Sequence, residues 1–377
     1  MLALLACCPG ALLAATLKAT LIAPADDARF ERSRVERAYL GQPGGPARDG
    51  VQVAIDEAKF ELDAAGSAVT LDQLGAASLD AARAAAQQAE KAGTAVLLTD
   101  LPADWTRAVA DAVKVPVLNV GNASDALREA DCRANLWHLL PSERMRADAL
   151  AQTLLARKWS QVLLLSGAGD ATRSAAAQAA IKRYGLKLVA AKTFKLSADP
   201  RERDAANPLL LTGGLAYDAV WVVDSDGEFA RSLPYRTALP RPVVGDAGLA
   251  ALAWHAQFDR FGAPQVARRF AKAAKRPMTA PDWAAWLAGR ALVAAALAAP
   301  KGPPAAWAKA LTATELDGSK GVQLSFRPWD GQLRQPLLLS DGQGVIGMAP
   351  VDGILHPRNA LDTLGADAPE KLCKVTR

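Results

Sequence analysis

The sequence predicts an α/β protein built from two doubly wound units, and three observations carry that expectation. Short apolar runs recur without polar alternation, and each ends in polar residues: ATLIAPADD (19–27), AVLLTD (95–100) and VPVLNVGN (115–122). Runs of this form read as parallel strands buried on both faces. Stretches with helical spacing lie between them. The pattern then restarts near residue 161, so a second unit follows the first.

The elements follow in chain order. After the strand at 19–27, an Ala-rich segment at about 79–92 reads as a helix. Gly93 follows it and suits the left-handed C-terminal position. Between the strands at 95–100 and 115–122, Trp105, Ala108, Val109, Ala112 and Val113 fall on one helical face. A short junction near 132–142 leads to QVLLLSG (161–167), a strand, then a helix over 170–184 stopped by Gly185. LKLVAAKTF (186–194), YDAVWVVDSD (217–226) and RPVVGD (241–246) continue the second unit. Helices are expected at about 263–275 and 281–298. LSFRPWDGQLRQPLLL (324–339) closes the pattern, with Asp330-Gly331 as a tight turn between two apolar runs.

Composition agrees with two folded domains. The chain has 377 residues, and domains average ~100–200. With 51% hydrophobic and 22% charged residues, general disorder is excluded. The net charge of +5 comes from 44 basic and 39 acidic residues interspersed without a run of like sign. A nucleic-acid footprint or a membrane-binding patch would need such a run, so neither partner is expected.

The N-terminus, MLALLACCPGALLAATLKAT, carries an apolar stretch too short to span a membrane. It reads as the apolar region of a signal peptide over residues 1–16, without the usual basic residues ahead of it. Export to the periplasm is therefore expected. Leu4 to Cys7 also resembles a lipoprotein cleavage box, but the apolar run before Cys7 is short. Beyond Cys7 and Cys8, the chain has only Cys132 and Cys373. In an oxidising compartment they can form one disulfide, nominally worth about 4–5 kcal/mol in the chain-entropy model. In a reducing one they are two buried thiols.

Catalytic chemistry is hard to find. Gly167-Ala168-Gly169 follows a strand and precedes a helix, but Thr172 stands where a dinucleotide fingerprint has its third glycine. His138, His255 and His356 share no metal-ligand spacing, and no nucleophile-elbow, phosphate-loop or zinc-protease motif occurs. The expectation is a protein that is not an enzyme and holds no cofactor or metal. Polar residues instead gather just past strand ends: Thr99 and Asp100, Asn119 and Asn122, Asp224 and Asp226, and Asp246. Ligands of open α/β sheets bind at that edge. Two such edges facing each other make a cleft.

The stretch LDGSKGVQLSFRPWDGQLRQPLLLSDGQGVIGMAP (316–350) resembles the late segment of type I periplasmic solute-binding proteins, the Leu/Ile/Val-receptor-like receptors of ABC importers. The resemblance is carried by Leu316-Asp317-Gly318, Gly321, Leu324, Phe326, the Asp330-Gly331 turn and Pro336-Leu337. SLPYRTALPRPVVG, AWHAQF, FRPWDGQLRQP and LDTLG are more closely similar to the subgroup associated with pyrroloquinoline-quinone-dependent alcohol dehydrogenase systems.

This resemblance implies two Rossmann-like lobes joined by a three-crossing hinge. Lobe one would hold 17–136 and 247–325, and lobe two 137–246 and 326–345. A tail, 346–377, would return to the hinge and bring Cys373 near Cys132. It implies binding of a small molecule between the lobes, delivery to an ABC permease and ATPase, and membrane contact only through that permease. A sensor or accessory protein using the same fold to bind another protein is the alternative. Such receptors hold an amino acid's carboxylate on a Ser/Gly/Thr-rich loop, where this chain has Thr99-Asp100-Leu101-Pro102. Pro102 lacks an N–H donor, and Asp100 repels a carboxylate. By position, Asp246 matches the acidic group that takes the ligand's amine, with Asp224 and Asp226 beside it. That set suits a cation, an amine or a polyol, with Trp105 and Trp254 as wall residues.

Overall fold

The computed structural model describes residues 15–37 and 44–375. The expected leader, with Cys7 and Cys8, lies outside the described residues apart from Ala15 and Thr16. Those two already pair with Ser67 and Ala68 in the first strand. A cut after Thr16 would therefore remove the start of a paired strand.

The first unit runs β1 (Ala15–Pro24), α1 (Arg32–Arg37), α2 (Ala47–Glu57), α3 (Lys59–Ala64), β2 (Ser67–Ala76), α4 (Leu79–Lys91), β3 (Val96–Thr99), α5 (Ala103–Ala112), β4 (Val117–Asn119) and β5 (Leu136–His138). Its five strands form one parallel sheet in the order β2-β1-β3-β4-β5. α4 starts where the Ser78 side chain accepts from the Ala81 N–H. It stops before Gly93, whose φ of 86° only glycine adopts freely. The expected face of α5 turns inward, with Val109 and Val113 buried and Trp105 packed at the edge of the same cluster.

The second unit runs α6 (Glu143–Ala156), β6 (Gln161–Gly167), α7 (Ala171–Arg183), β7 (Lys187–Phe194), α8 (Pro208–Thr212), β8 (Ala219–Val223) and β9 (Val243–Gly245). Its parallel sheet has the order β7-β6-β8-β9. β6 and β8 are apolar almost throughout because helices or loops cover both faces.

The chain then returns through β10 (Ala250–Leu252), α9 (Ala263–Ala274), α10 (Ala280–Ala298) and α11 (Pro304–Ala313). It ends in β11 (Leu316–Asp317), β12 (Gln323–Leu324), β13 (Leu337–Ser340) and β14 (Val345–Ala349). α10 begins with a capping box between Thr279 and Asp282. It packs into the first unit's core, and its Gly289 lies against Val51 and Ala54 of α2. β10, β13 and β14 form a separate antiparallel sheet.

The 324–339 stretch differs in part from the hairpin its sequence suggests. The turn exists: Arg327 N–H donates to Gln332 O at 2.9 Å, and Gly331 has φ 71°. The flanking runs find other partners, however. β12 pairs with β11, and β13 with β10 and β14; only Phe326 and Leu333 bridge each other. Gln332 instead bridges His138 of β5 in parallel, and its amide donates to His138 O and Leu140 O. Gln335 donates to Leu139 O at 2.7 Å. Two passages between the sheets, 139–141 and 332–336, are thus stitched side by side; the third lies between β9 and β10.

The last segment clasps α6. Asp148 accepts from the Gly365 N–H at 2.8 Å and pairs with Arg183. Tyr184 Oη donates to Thr363 O at 2.9 Å. Arg327 and Arg334 share the Asp362 carboxylate at 3.0 and 2.8 Å. A disulfide joins Cys132, in the loop before β5, to Cys373.

Candidate functional site

A cleft of about 380 Å³ opens at the carboxyl edge of the first sheet. The strand order reverses there between β1 and β3, the place where open α/β sheets take ligands. Arg29 comes from the loop after β1, Asp100 from the end of β3, and Val120 and Ala123 from the segment after β4. Leu140 and Pro141 of the first passage form part of the wall, and α6 contributes Arg146. Phe30, Gly44, Gly45 and Ala47 of the first unit line it too, as do Ala251 to Ala256 after the second unit and Met278 to Pro281 at the start of α10. The cleft is therefore bounded by segments of both units and by the chain between them.

Its lining is mainly apolar, and its charges are already paired. Arg29 forks onto Asp100, Nη1 to Oδ1 and Nη2 to Oδ2, both at 2.9 Å. The same guanidinium also meets Asp27, Nε to Oδ1 at 2.9 Å. Burial works against the Arg29 charge, but its hydrogen bonds to Asp27 and Asp100 outweigh it and raise the pKa. Arg146 donates to Ala251 O at 3.3 Å and pairs with Glu143 at 3.4 Å.

Arg146 and Ala251 also line a smaller recess of about 30 Å³, which holds Asp246. Arg173 forks onto Asp246, with both bonds at 2.8 Å, and Asp246 Oδ2 also accepts from the Asp224 N–H at 2.7 Å. Burial opposes the Arg173 charge as well, and again the carboxylates win and the pKa rises.

The strand-end residues thus divide. Asp100 lines the large cleft and Asp246 the recess beside it, each neutralised by an arginine. Thr99 is buried behind Asp100. Asn119 and Asn122 serve the loop after β4: Asn119 Nδ2 donates to Asn122 O at 2.7 Å and meets His138 Nδ1 at 3.0 Å, while Asn122 Nδ2 donates to Leu101 O. Asp224 accepts from the Ala230 N–H at 2.8 Å, and burial raises its pKa above the usual carboxylate value. Asp226 is exposed and lines neither cavity. A cleft ringed by free carboxylates is not what forms, because Arg29 meets Asp100 at the cleft and Arg173 meets Asp246 in the recess beside it. Trp254 lines the cleft; Trp105 does not.

Sequence reading missed Arg29, Arg146 and His255. Arg29 could have been flagged, since it stands five residues past the end of β1, at the same sheet edge as Asp100. Four buried side-chain polar atoms have no hydrogen-bond partner among the described residues: Thr99 Oγ1, Arg144 Nε, Trp254 Nε1 and His255 Nε2. Two of the four belong to residues that line the cleft. His255 Nδ1 accepts from the Gln257 N–H at 3.1 Å, which leaves the ring proton on Nε2. Burial lowers the His255 pKa, against Asp341, so the ring is neutral at pH 7. A buried donor without an acceptor costs about 1–3 kcal/mol.

Neither a family model nor a curated protein sequence matches the chain. Solved structures do match in fold. An ABC transporter substrate-binding protein from Sphaerobacter thermophilus is 16% identical at a TM-score of 0.70, over 89% of this chain and 98% of that one. A branched-chain amino acid ABC transporter periplasmic ligand-binding protein from Burkholderia xenovorans is 15% identical at 0.69, over 88% and 95%. A solute-binding protein of an ABC transporter from R. palustris, in complex with benzoate, is 14% identical at 0.66, over 88% and 96%. The chain has the fold of type I periplasmic solute-binding proteins. None of the three structures is described as part of a pyrroloquinoline-quinone system.

Proposed function

We propose that the chain is the periplasmic solute-binding component of an ABC-type importer. It takes a small molecule into the cleft between two lobes, 17–136 with 247–325 and 137–246 with 326–345, while the tail from 346 braces the passages. Closure follows because the ligand touches both lobes only in the closed form. The closed form then docks on a permease and its ATPase, the only route to membrane contact. A place beside pyrroloquinoline-quinone-dependent alcohol oxidation is a finer reading that rests on sequence likeness alone.

One observation carries the reading: the cleft draws walls from the switch point of the first sheet, from α6 and from the passages between the sheets. The site proposed is Asp100 with Arg29, Asp246 with Arg173, and Arg146 between them. Thr99, Asn119, Asn122, Asp224 and Asp226 act behind or beside it.

A thermal-shift screen tests the proposal, with amino acids, aromatic and short aliphatic acids, amides, alcohols, aldehydes, polyamines and pyrroloquinoline quinone. A ligand at a hundred times its Kd stabilises the fold by about 2.7 kcal/mol, a visible shift. Silence across the panel would turn the search toward a protein partner.

A further inference from the structure

Two buried cations stand at the passages between the sheets, and neither has an ion-pair partner among the described residues. Arg128, on the loop between β4 and β5, is 3% exposed. Its Nε donates to Gln332 Oε1 at 2.8 Å and its Nη2 to Leu140 O at 2.9 Å, while Nη1 donates to Ser124 O of its own loop at 2.8 Å. Asp125, Asp330 and Glu143 act on it only through space, and burial lowers its pKa to about 10. Lys320, on the loop between β11 and β12, is 1% exposed. Its Nζ lies over the Trp283 ring of α10 and donates to Pro336 O at 3.0 Å and to Gln335 Oε1 at 3.3 Å. Gln335 in turn donates to Leu139 O. A cation buried on neutral acceptors costs stability that an apolar side chain of the same size does not. Both costs fall at the same place, where the chain passes between the units.

Past these grips each passage changes hands at once. Leu139 and Leu333 are buried in the first unit's core. Ser142 caps α6, and Met145 of α6 and Leu337 of β13 are buried in the second unit's core. Pro141 and Pro336 stand at the two changes. We infer that Arg128 and Lys320 are positioning residues for closure: they fix both passages to the first unit, so that the second unit turns about Pro141 and Pro336. The inference rests on the receptor reading above. Two fixed points define an axis, and hinges bend at a few residues only. Proline fixes its own φ, which narrows further where each passage bends. Glu143 N–H donates to Ala123 O at 3.0 Å and Arg144 N–H to Asp125 Oδ1 at 3.1 Å across the first pivot, so these are bonds that the turn exchanges.

The test needs no ligand. Spin labels are attached through ketone side chains introduced at Arg83 of α4 and Lys182 of α7, both exposed, so that no cysteine is used. Pulsed dipolar spectroscopy then reads the distribution of distances between the two units in the free protein. Lys320→Met keeps the length of the side chain and removes its donors. The expected result is a higher urea midpoint than the parent at pH 7 together with a distance distribution about twofold broader, because the 332–336 passage then bends along its length. A role in packing alone would tie the two readouts together, and a more stable protein would not become less defined. Arg128→Met should broaden the distribution as well; if that variant does not fold, Lys320→Met decides alone.

An unchanged distribution in Lys320→Met would overturn the inference and leave the receptor reading standing. A broader distribution with a lower midpoint would also overturn it, since general loosening would then explain both. A silent ligand screen counts against the receptor reading only, because the distances are read without a ligand.

Discussion

At the scale of single residues, arginines decide what the strand-end aspartates do. Asp246 holds Arg173 through two bonds and also caps the Asp224 N–H. Asp246→Ala should therefore cost the fold about 2 kcal/mol, read as a lower urea midpoint in ligand-free protein. An unchanged midpoint would make the pair ornamental. Lys320 is a second case. It is fully buried, with Nζ 3.6 Å from the Trp283 ring centroid and bonded to Gln335 Oε1 and Pro336 O, and among the described residues it has no carboxylate partner. Burial pushes its pKa well below the usual lysine value. The unfolded chain keeps that proton to higher pH, so stability rises with pH between the two pKa values. Lys320→Met should be more stable than the parent at pH 7 by about 1 kcal/mol, with the gap narrowing toward pH 10. A gap independent of pH would contradict this. Sequence alone placed Asp100, Asp224 and Asp246 just past strand ends, where they lie. It did not show their partners, because Arg29 is 71 residues from Asp100 and Arg173 is 73 from Asp246. Only tertiary approach brings them together.

At the scale of elements, close contact between helices depends on small residues. A Cβ at Gly289 would lie 2.7 Å from Ala54 Cβ and 2.7 Å from Val51 O, closer than packed carbons come. Gly289→Val should force α10 away from α2 and cost about 1–3 kcal/mol, measured by thermal unfolding; an unchanged Tm would show that the helices have room. The buried runs at β3, β4, β6 and β8 and the stripe of α5 were legible because their periods are unmixed. β2 was not, because as an edge strand it mixes buried and exposed positions irregularly. α6 was not, because nine of its fourteen residues are buried, including Asp148, Gln152 and Thr153. A helix covered on most sides, with polar residues inside, leaves no stripe to read. β5 has only three residues, too few for a period.

At the scale of the whole molecule, the tail ties both units together. Cys373 is joined to the loop before β5, while Gly365, Thr363 and Glu370 bond to residues of α6 and α7 or the turn beyond. The disulfide spans 241 residues, which in the chain-entropy model is worth at most about 5 kcal/mol. Cys373→Ser should lower the urea midpoint markedly without changing the fold at rest. Equal midpoints in parent and variant would mean that the clasp on α6 suffices alone. In the proposed function, two units joined by three passages close around a small molecule. Small-angle scattering measures this directly on the purified protein, with and without the tightest binder of the thermal-shift screen. Closure gives a smaller radius of gyration at saturation, and the larger radius returns when the ligand is dialysed away. The same radius with and without bound ligand would contradict closure.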